Sequence, residues 1–279
     1  MPTMNRRQFL AALAASPAFG LVACGGGSGS DAPASEGEDP YGPGFTFKHG
    51  FDRDFPPYSF IGEDGSTTGF DVECAQAVCE VNEWTYEPVP FDWTAKDAEL
   101  NAGSCDCIWS GFTKMADNAD AYLWSEPYSN NSQMIMVKAD SGIATLADLA
   151  GKKVGVQSGT SAQIMLEDEE EGQAELAATF ASLEVYDTYT TAFNDLKAGG
   201  IDAIAIDITN GSYLKGDDDS IVFLDEVLSE EIYAIAFRLG EDDLLAKVWD
   251  ALMKLVDDGT FDEIGQRYPA IYDSLILGK

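Results

Sequence analysis

Apolar positions change period regularly along the chain, and that change sets the fold class. Residues 45–51 (FTFKHGF) read as a strand. Residues 55–82 (FPPYSFIGEDGSTTGFDVECAQAVCEVN) follow with an aromatic-Pro-Pro-aromatic step, a short strand, a Gly-containing turn at 65–68 and a helix. Val72, Ala75, Val78 and Cys79 share one face of that helix, predicted over 71–81. Gly69-Phe70 provides a tight entry, and Asp71 is expected to accept from the free amides of the first turn. A strand near 85–88, a helix over 95–102 stopped by Gly103, and a strand over 105–109 continue the alternation, which implies a parallel α/β sheet.

The second half repeats the theme. Residues 100–108 (LNAGSCDCI) and 196–204 (LKAGGIDAI) share the form L-x-A-G-x-x-D-x-I: a helix end, a glycine stop, a turn and a buried strand. Two similar α/β lobes follow from this echo. Residues 133–138 (QMIMVK) and 232–238 (IYAIAFR) are apolar strands at either end of the inner segment, and helices over 241–258 and 260–267, with Gly259 between them, close the chain.

The N-terminus stands apart. Asn5-Arg6-Arg7-Gln8-Phe9-Leu10 is a twin-arginine export motif followed by an apolar run to Ala23. That run is shorter than the roughly 20 residues that span a bilayer. Leu21-Val22-Ala23-Cys24 resembles a lipobox, so residues 1–23 are expected to be cleaved and Cys24 lipidated. Residues 24–44, rich in Gly, Ser and acid, read as a flexible tether to an anchored domain. The chain carries 49 acids against 16 bases, a charge of −33. Such a surface repels nucleic acid and anionic lipid and favours cationic solutes. Acid clusters at 167–171 and 217–219 lack the alternating spacing of a calcium loop and read as solvated faces. Cys74, Cys79, Cys105 and Cys107 form no C-x-x-C pair, and with His49 as the only histidine no metal site or cofactor is expected. Export permits a disulfide; small buried hydrophobes are the favoured reading for most of the four.

In α/β sheets ligands gather at the carboxyl ends of strands, so two facing lobes would place those ends across a cleft. The rule selects residues 52–55, 109–118, 158–161 and 207–209. Ser158-Gly159-Thr160-Ser161 opens a helix, with Thr160 and Gln163 at capping-box spacing. Its amides suit a carboxylate or simply begin a capped helix. Asp207 ends a buried strand; its carboxylate would meet an ammonium group, or cap the loop.

Residues 69–82 closely resemble the signature of the bacterial extracellular solute-binding proteins, family 3. Gly69, Phe70, Asp71, Val72, Glu73, Val78, Cys79 and Asn82 fit it, and Cys74 replaces the usual large aliphatic. The resemblance covers about 45–275. It implies a type II periplasmic-binding-protein-like fold, α/β, with each lobe a mostly parallel sheet flanked by helices. Residues 45–133 plus 237–279 would form lobe one, and 134–236 lobe two with two hinge strands at 133–138 and 232–238. It implies a carboxylate-binding turn at Gly159, Thr160 and Ser161, an α-amino partner in Asp207, and ligand contacts at Ser110, Gly111 and Thr113. It also implies aromatic walls at Phe55 and Trp93 and a strand-end acid at Asp52. The family's carboxylate-clamping arginine falls on Asn118, and a neutral amide cannot replace a guanidinium fork. Either Lys114 or Arg53 supplies the charge, or the ligand lacks an α-carboxylate, or binding is weak.

The expected function is a lipid-anchored, exported receptor on the outer face of the cell membrane. It would be monomeric and deliver an amino acid or similar small polar solute to ABC permease subunits, closing by hinge motion. A prephenate/arogenate-dehydratase-like enzyme and a permease-independent sensor or scavenger are the alternatives. The chain shows no nucleophile–base–orienter set, which favours a non-enzyme.

Overall fold

The computed structural model describes residues 39–169 and 172–279. The export motif, Cys24, the tether up to residue 38, and Glu170 and Glu171 of the acidic cluster lie outside the described residues.

Two five-stranded sheets carry the chain. The first runs Thr85–Phe91, Thr46–Asp52, Cys107–Ile108, Ala236–Phe237, Leu123–Trp124; the second runs Ser182–Tyr186, Lys153–Gln157, Ala203–Asp207, Ser129–Lys138, Ile221–Tyr233. In each sheet the first three strands are parallel and the last two join antiparallel. The expected parallel character therefore holds for half of each sheet. The antiparallel strands lie in the two segments that pass between sheets, and these run against the strands they join.

Met134–Val137, expected in a hinge strand, pair with Ala203–Ile206 inside the second sheet. The crossing backbone is the preceding stretch, where Ser129 to Gln133 pair with Tyr233 to Ser229 as an antiparallel ribbon. A helix at Phe70–Asn82 and the closing helices Asp242–Asp258 and Thr260–Gln266 pack together on the first sheet around Phe47, Val78, Leu252 and Phe261. Val137, Val154, Val156 and Leu166 anchor the second lobe's own apolar cluster.

The sequence echo is a structural one. Gly103 and Gly199 end helices Lys96–Ala102 and Tyr189–Ala198 in the left-handed conformation that glycine adopts without a Cβ penalty. Asp106 then accepts from Lys48 N and Asp202 from Lys153 N, both at 2.8 Å, which caps the start of the neighbouring strand in each lobe. Cys105 and Ile201 fill the space above Gly50 and Gly155, where a Cβ would come within 2.7 and 2.6 Å of them. Among the described residues the four cysteines, Cys74, Cys79, Cys105 and Cys107, are free and buried.

Asp71 does not cap its helix as expected. Its Oδ2 accepts from Gly111 N and from Tyr128 OH, both at 2.8 Å, so the signature acid ties the helix to the loop after Cys107–Ile108. Gly69 starts the helix with φ +125°, and a Cβ there would overlap the Tyr58 carbonyl, so only glycine fits.

Complete burial pushes the Asp71 carboxyl up from 3.8 to about 8, against the pull of its two donors. The folded state therefore holds a proton that the unfolded state releases. This contribution to stability is whole below 3.8 and is lost as pH rises toward about 8. Asp71→Asn should flatten the fall of unfolding free energy over that window by up to about 1.4 kcal/mol per pH unit. Urea denaturation at several pH values measures it, and an unchanged slope would contradict the buried, protonated acid.

Candidate functional site

The facing ends of the two sheets enclose a cavity of about 240 Å³. All eleven residues singled out from the sequence line it, from strand ends, helix starts and loops of both lobes.

Asp52, 2% exposed, ends Thr46–Asp52, and Gln157 ends the matching strand Lys153–Gln157. The two meet across the cleft: Gln157 Nε2 donates to Asp52 Oδ2 at 2.8 Å, while Asp54 N donates to Oδ1 at 3.0 Å. Burial pushes the Asp52 carboxyl up to about 7. Phe55 forms a wall, with its ring edge so close to Gly111 that a Cβ there would lie 2.6 Å away. Trp93 stands edge-on to Phe112 and donates from Nε1 to the Gly159 carbonyl at 2.9 Å, which joins the lobes. Other bonds do the same: Thr190 Oγ1 to Asp54 Oδ1 at 2.8 Å, and Asn210 Nδ2 to Pro56 O at 2.5 Å.

The loop at 109–118 is held from behind. Ser110 Oγ accepts from Asp52 N at 3.0 Å and meets Ser59 Oγ at 2.6 Å, while Gly111 N is held by Asp71. Thr113 Oγ1 donates to Glu231 Oε2 at 2.9 Å. On the opposite lobe, Thr160 caps Ser161–Glu167 by accepting from Gln163 N, and Gln163 Oε1 accepts in turn from Gly159 N at 2.7 Å. The capping pair is therefore present, with Gly159 N in place of the usual Thr160 N. Ser161 Oγ donates to Glu231 Oε2 at 3.2 Å.

Asp207, 3% exposed, ends Ala203–Asp207. Its Oδ1 accepts from Tyr233 OH at 2.5 Å, Asn131 Nδ2 at 2.6 Å and Gln133 Nε2 at 2.7 Å. The same two amides also reach Glu231 Oε2, at 3.2 and 3.1 Å. Burial first, and then the negative charge of Glu231, hold the Asp207 carboxyl well above the usual range. A cation placed here would relieve both carboxylates.

Asn118 lines the cavity but spends its amide on its own loop. Oδ1 accepts from Met115 N at 2.8 Å and Nδ2 donates to Thr113 O at 3.0 Å. Neither candidate replacement for the missing arginine lines the cavity. Arg53 is half-exposed and pairs with Asp92 at 3.3 Å, and Lys114 lies in a neighbouring depression beside Glu230 and Ile232. The lining cation is Lys96, which the sequence reading missed; a lysine beginning a helix carries no signal that separates it from a solvated one. Gln157 was missed too, although the strand-end rule that selected Asp52 and Asp207 also points to it. Four acids, Asp52, Asp97, Asp117 and Asp207, face the single described ammonium. Partial burial lowers the Lys96 pKa, and the carboxylates of Asp97, Asp52 and Asp117 oppose that shift.

Among the described residues no cluster of potential metal ligands occurs, and no helix is long and apolar enough to cross a membrane. In sequence and fold the chain is similar to known proteins. The L-cystine-binding protein TcyJ of Escherichia coli K12 is 31% identical over 226 residues, 80% of this chain and 82% of that protein. An ABC uptake transporter substrate-binding protein from Streptococcus pneumoniae, solved with bound histidine, superposes with a TM-score of 0.77 at 32% identity, covering 82% of this chain and 94% of that one. The ancestral amino-acid-binding protein AncCDT-1, a precursor of cyclohexadienyl dehydratase, gives 0.72 at 28% identity, over 80% and 95% of the two chains. The fold is that of the type II periplasmic amino-acid-binding proteins. Residues 47–270 match the profile of the bacterial extracellular solute-binding proteins, family 3, and the chain belongs to that family.

Proposed function

We propose that this chain is the extracytoplasmic receptor of an ABC importer, binding an α-amino acid between its lobes and delivering it to permease subunits as a monomer. The observation that carries the reading is Asp207, a buried carboxylate opening on a cavity built from both lobes, with a second carboxylate behind it. An ammonium group is the partner such a site lacks. The excess of acids around the cavity favours a zwitterion with a neutral or cationic side chain, and Phe55 and Trp93 supply its apolar contacts. Closure is by rotation about the ribbon of 129–133 and 229–233, and the bonds from Trp93, Gln157 and Asn210 across the cleft belong to the closed state. Lobe one is 45–133 plus 237–279, and lobe two 134–236.

A dehydratase is the second reading, favoured by one observation: Asp52, neutral up to about pH 7, is fit to be a general acid. Against it, His49 is no free base, because both its ring nitrogens are engaged, with Trp109 O at 2.7 Å and Tyr86 OH at 3.0 Å. Assaying prephenate and arogenate for turnover separates the two readings.

Calorimetric titration of the purified protein with the proteinogenic amino acids should give micromolar binding to at least one. Asp207→Asn should weaken that binding about 10- to 100-fold by removing a charge-assisted partner. Failure of the wild-type protein to bind any amino acid would sink the receptor reading.

The anchor is the remaining part of the proposal. Export through the twin-arginine motif and lipidation at Cys24 would hold the protein on the outer face of the membrane. Cys24→Ala should move it from the membrane fraction to the soluble one, and mass spectrometry showing an uncut, unmodified Met1 in the wild type would refute the anchor.

A further inference from the structure

The cavity faces a zwitterion with four carboxylates, yet the position where the family carries its arginine holds an amide committed to its own loop. Something else must meet the ligand's acid end. Lys96 opens helix Lys96–Ala102, where an ammonium lies at the positive end of the helix dipole and gains nothing locally. Its Nζ lies 4.9 Å from the centre of the Trp93 ring and 5.9 Å from that of Phe112, so two aromatic faces steady the cation. Its hydrogen bond among the described residues is a long one, 3.4 Å, to the Gly159 carbonyl. That oxygen already holds Trp93 Nε1 at 2.9 Å and does not need a second donor. An ammonium has three protons to give, and most of that capacity is left for the cavity.

We propose that Lys96 is the anion anchor of this cleft, taking the ligand's α-carboxylate from the first lobe while Asp207 takes its ammonium from the second. The inference rests on the amino-acid reading above and specifies how this chain does without the arginine. It also supplies what closure requires, because each lobe holds one end of the solute and both ends are satisfied together only when the lobes meet. An ammonium is a point charge without a planar fork, so the anchor fixes the carboxylate less rigidly than a guanidinium would and tolerates more than one orientation. The ligand class is thus α-amino acids with a free carboxylate, the carboxamides being excluded.

The test pairs a change in the protein with a change in the ligand. L-Histidine, L-arginine and L-cystine are titrated against the full chain, and so are their carboxamides, which lack the anionic end. The variants are Lys96→Met and Lys96→Arg. The amino acid that binds wild type should lose about 10- to 100-fold in affinity on Lys96→Met, recover most of it on Lys96→Arg, and bind far better than its carboxamide, whose own affinity shifts by no more than about twofold. A latch that merely joins Lys96 to Gly159 would weaken acid and amide together, and that result overturns the proposal. So does an unchanged amino-acid affinity, or a wild type that prefers the carboxamide; in both, the receptor reading stands. A wild type that binds neither series, nor any other proteinogenic amino acid, removes both. The acid-to-amide ratio on wild type needs no variant, so a misfolded Lys96→Met leaves the proposal open to refutation.

Discussion

A carboxylate removed from water must be given donors or a cation, and two of them at the ends of matching strands set the terms for the rest of the cleft. Asp52 and Asp207 finish Thr46–Asp52 and Ala203–Asp207, both almost wholly buried. Each draws its partners from outside its own strand. Gln157 reaches Asp52 from the opposite lobe, while Asn131, Gln133 and Tyr233 reach Asp207 from the crossing ribbon. The residues that solve the charge problem are therefore those whose positions change if the lobes rotate. The electrostatics of the cleft and the geometry of the ribbon that crosses between the lobes are one network.

The first lobe's contribution is held rigid largely from behind the cavity. His49 Nε2 lies against the Trp109 carbonyl, an acceptor only, so Nε2 carries the proton and Nδ1 accepts from Tyr86 OH. Burial drives its pKa down to about 4, so the imidazole stays neutral and acts as a brace. One step along the loop Ser110 is held by Asp52 N and Ser59, and the next residue, Gly111, by Asp71. Three consecutive loop residues, Trp109 and Gly111 by their backbones and Ser110 by its hydroxyl, are thus fixed before any solute arrives, which lowers the ordering cost of binding.

Much of this was legible in the sequence for a simple reason: helices, glycine stops and buried strands are local. The period of Val72, Ala75, Val78 and Cys79 located Phe70–Asn82, and the repeated L-x-A-G-x-x-D-x-I form located the same turn in both lobes, down to the aspartates that cap the neighbouring strands. The four strand-end loops hold ten of the eleven singled-out residues that line the cavity, because strand order is what places those ends together, and the family resemblance adds Trp93. What failed was long-range side-chain direction. Asp71 has the spacing of a helix cap, and only the tertiary position of Gly111 turns it away from that role. The limits of the crossing strands were likewise set by pairing partners about 100 residues away, which no local pattern encodes.

Asn118 and Lys96 show why a missing motif residue is weak ground for discarding a site. The loop at 113–118 needs its backbone satisfied, and an amide, with a donor and an acceptor side by side, can serve Thr113 O and Met115 N together. A guanidinium carries donors only, so it could not take the bond from Met115 N. The side chain that closes this loop therefore cannot be the one that binds an anion. The cation has to come from another element, and the cavity wall offers the helix start beside Trp93. The acidic surface does not decide the matter, because at physiological salt its field decays over about 8 Å. Selectivity is left to the few groups that touch the solute, where four carboxylates make the placement of a single ammonium the strongest local discriminator between an acid and its amide.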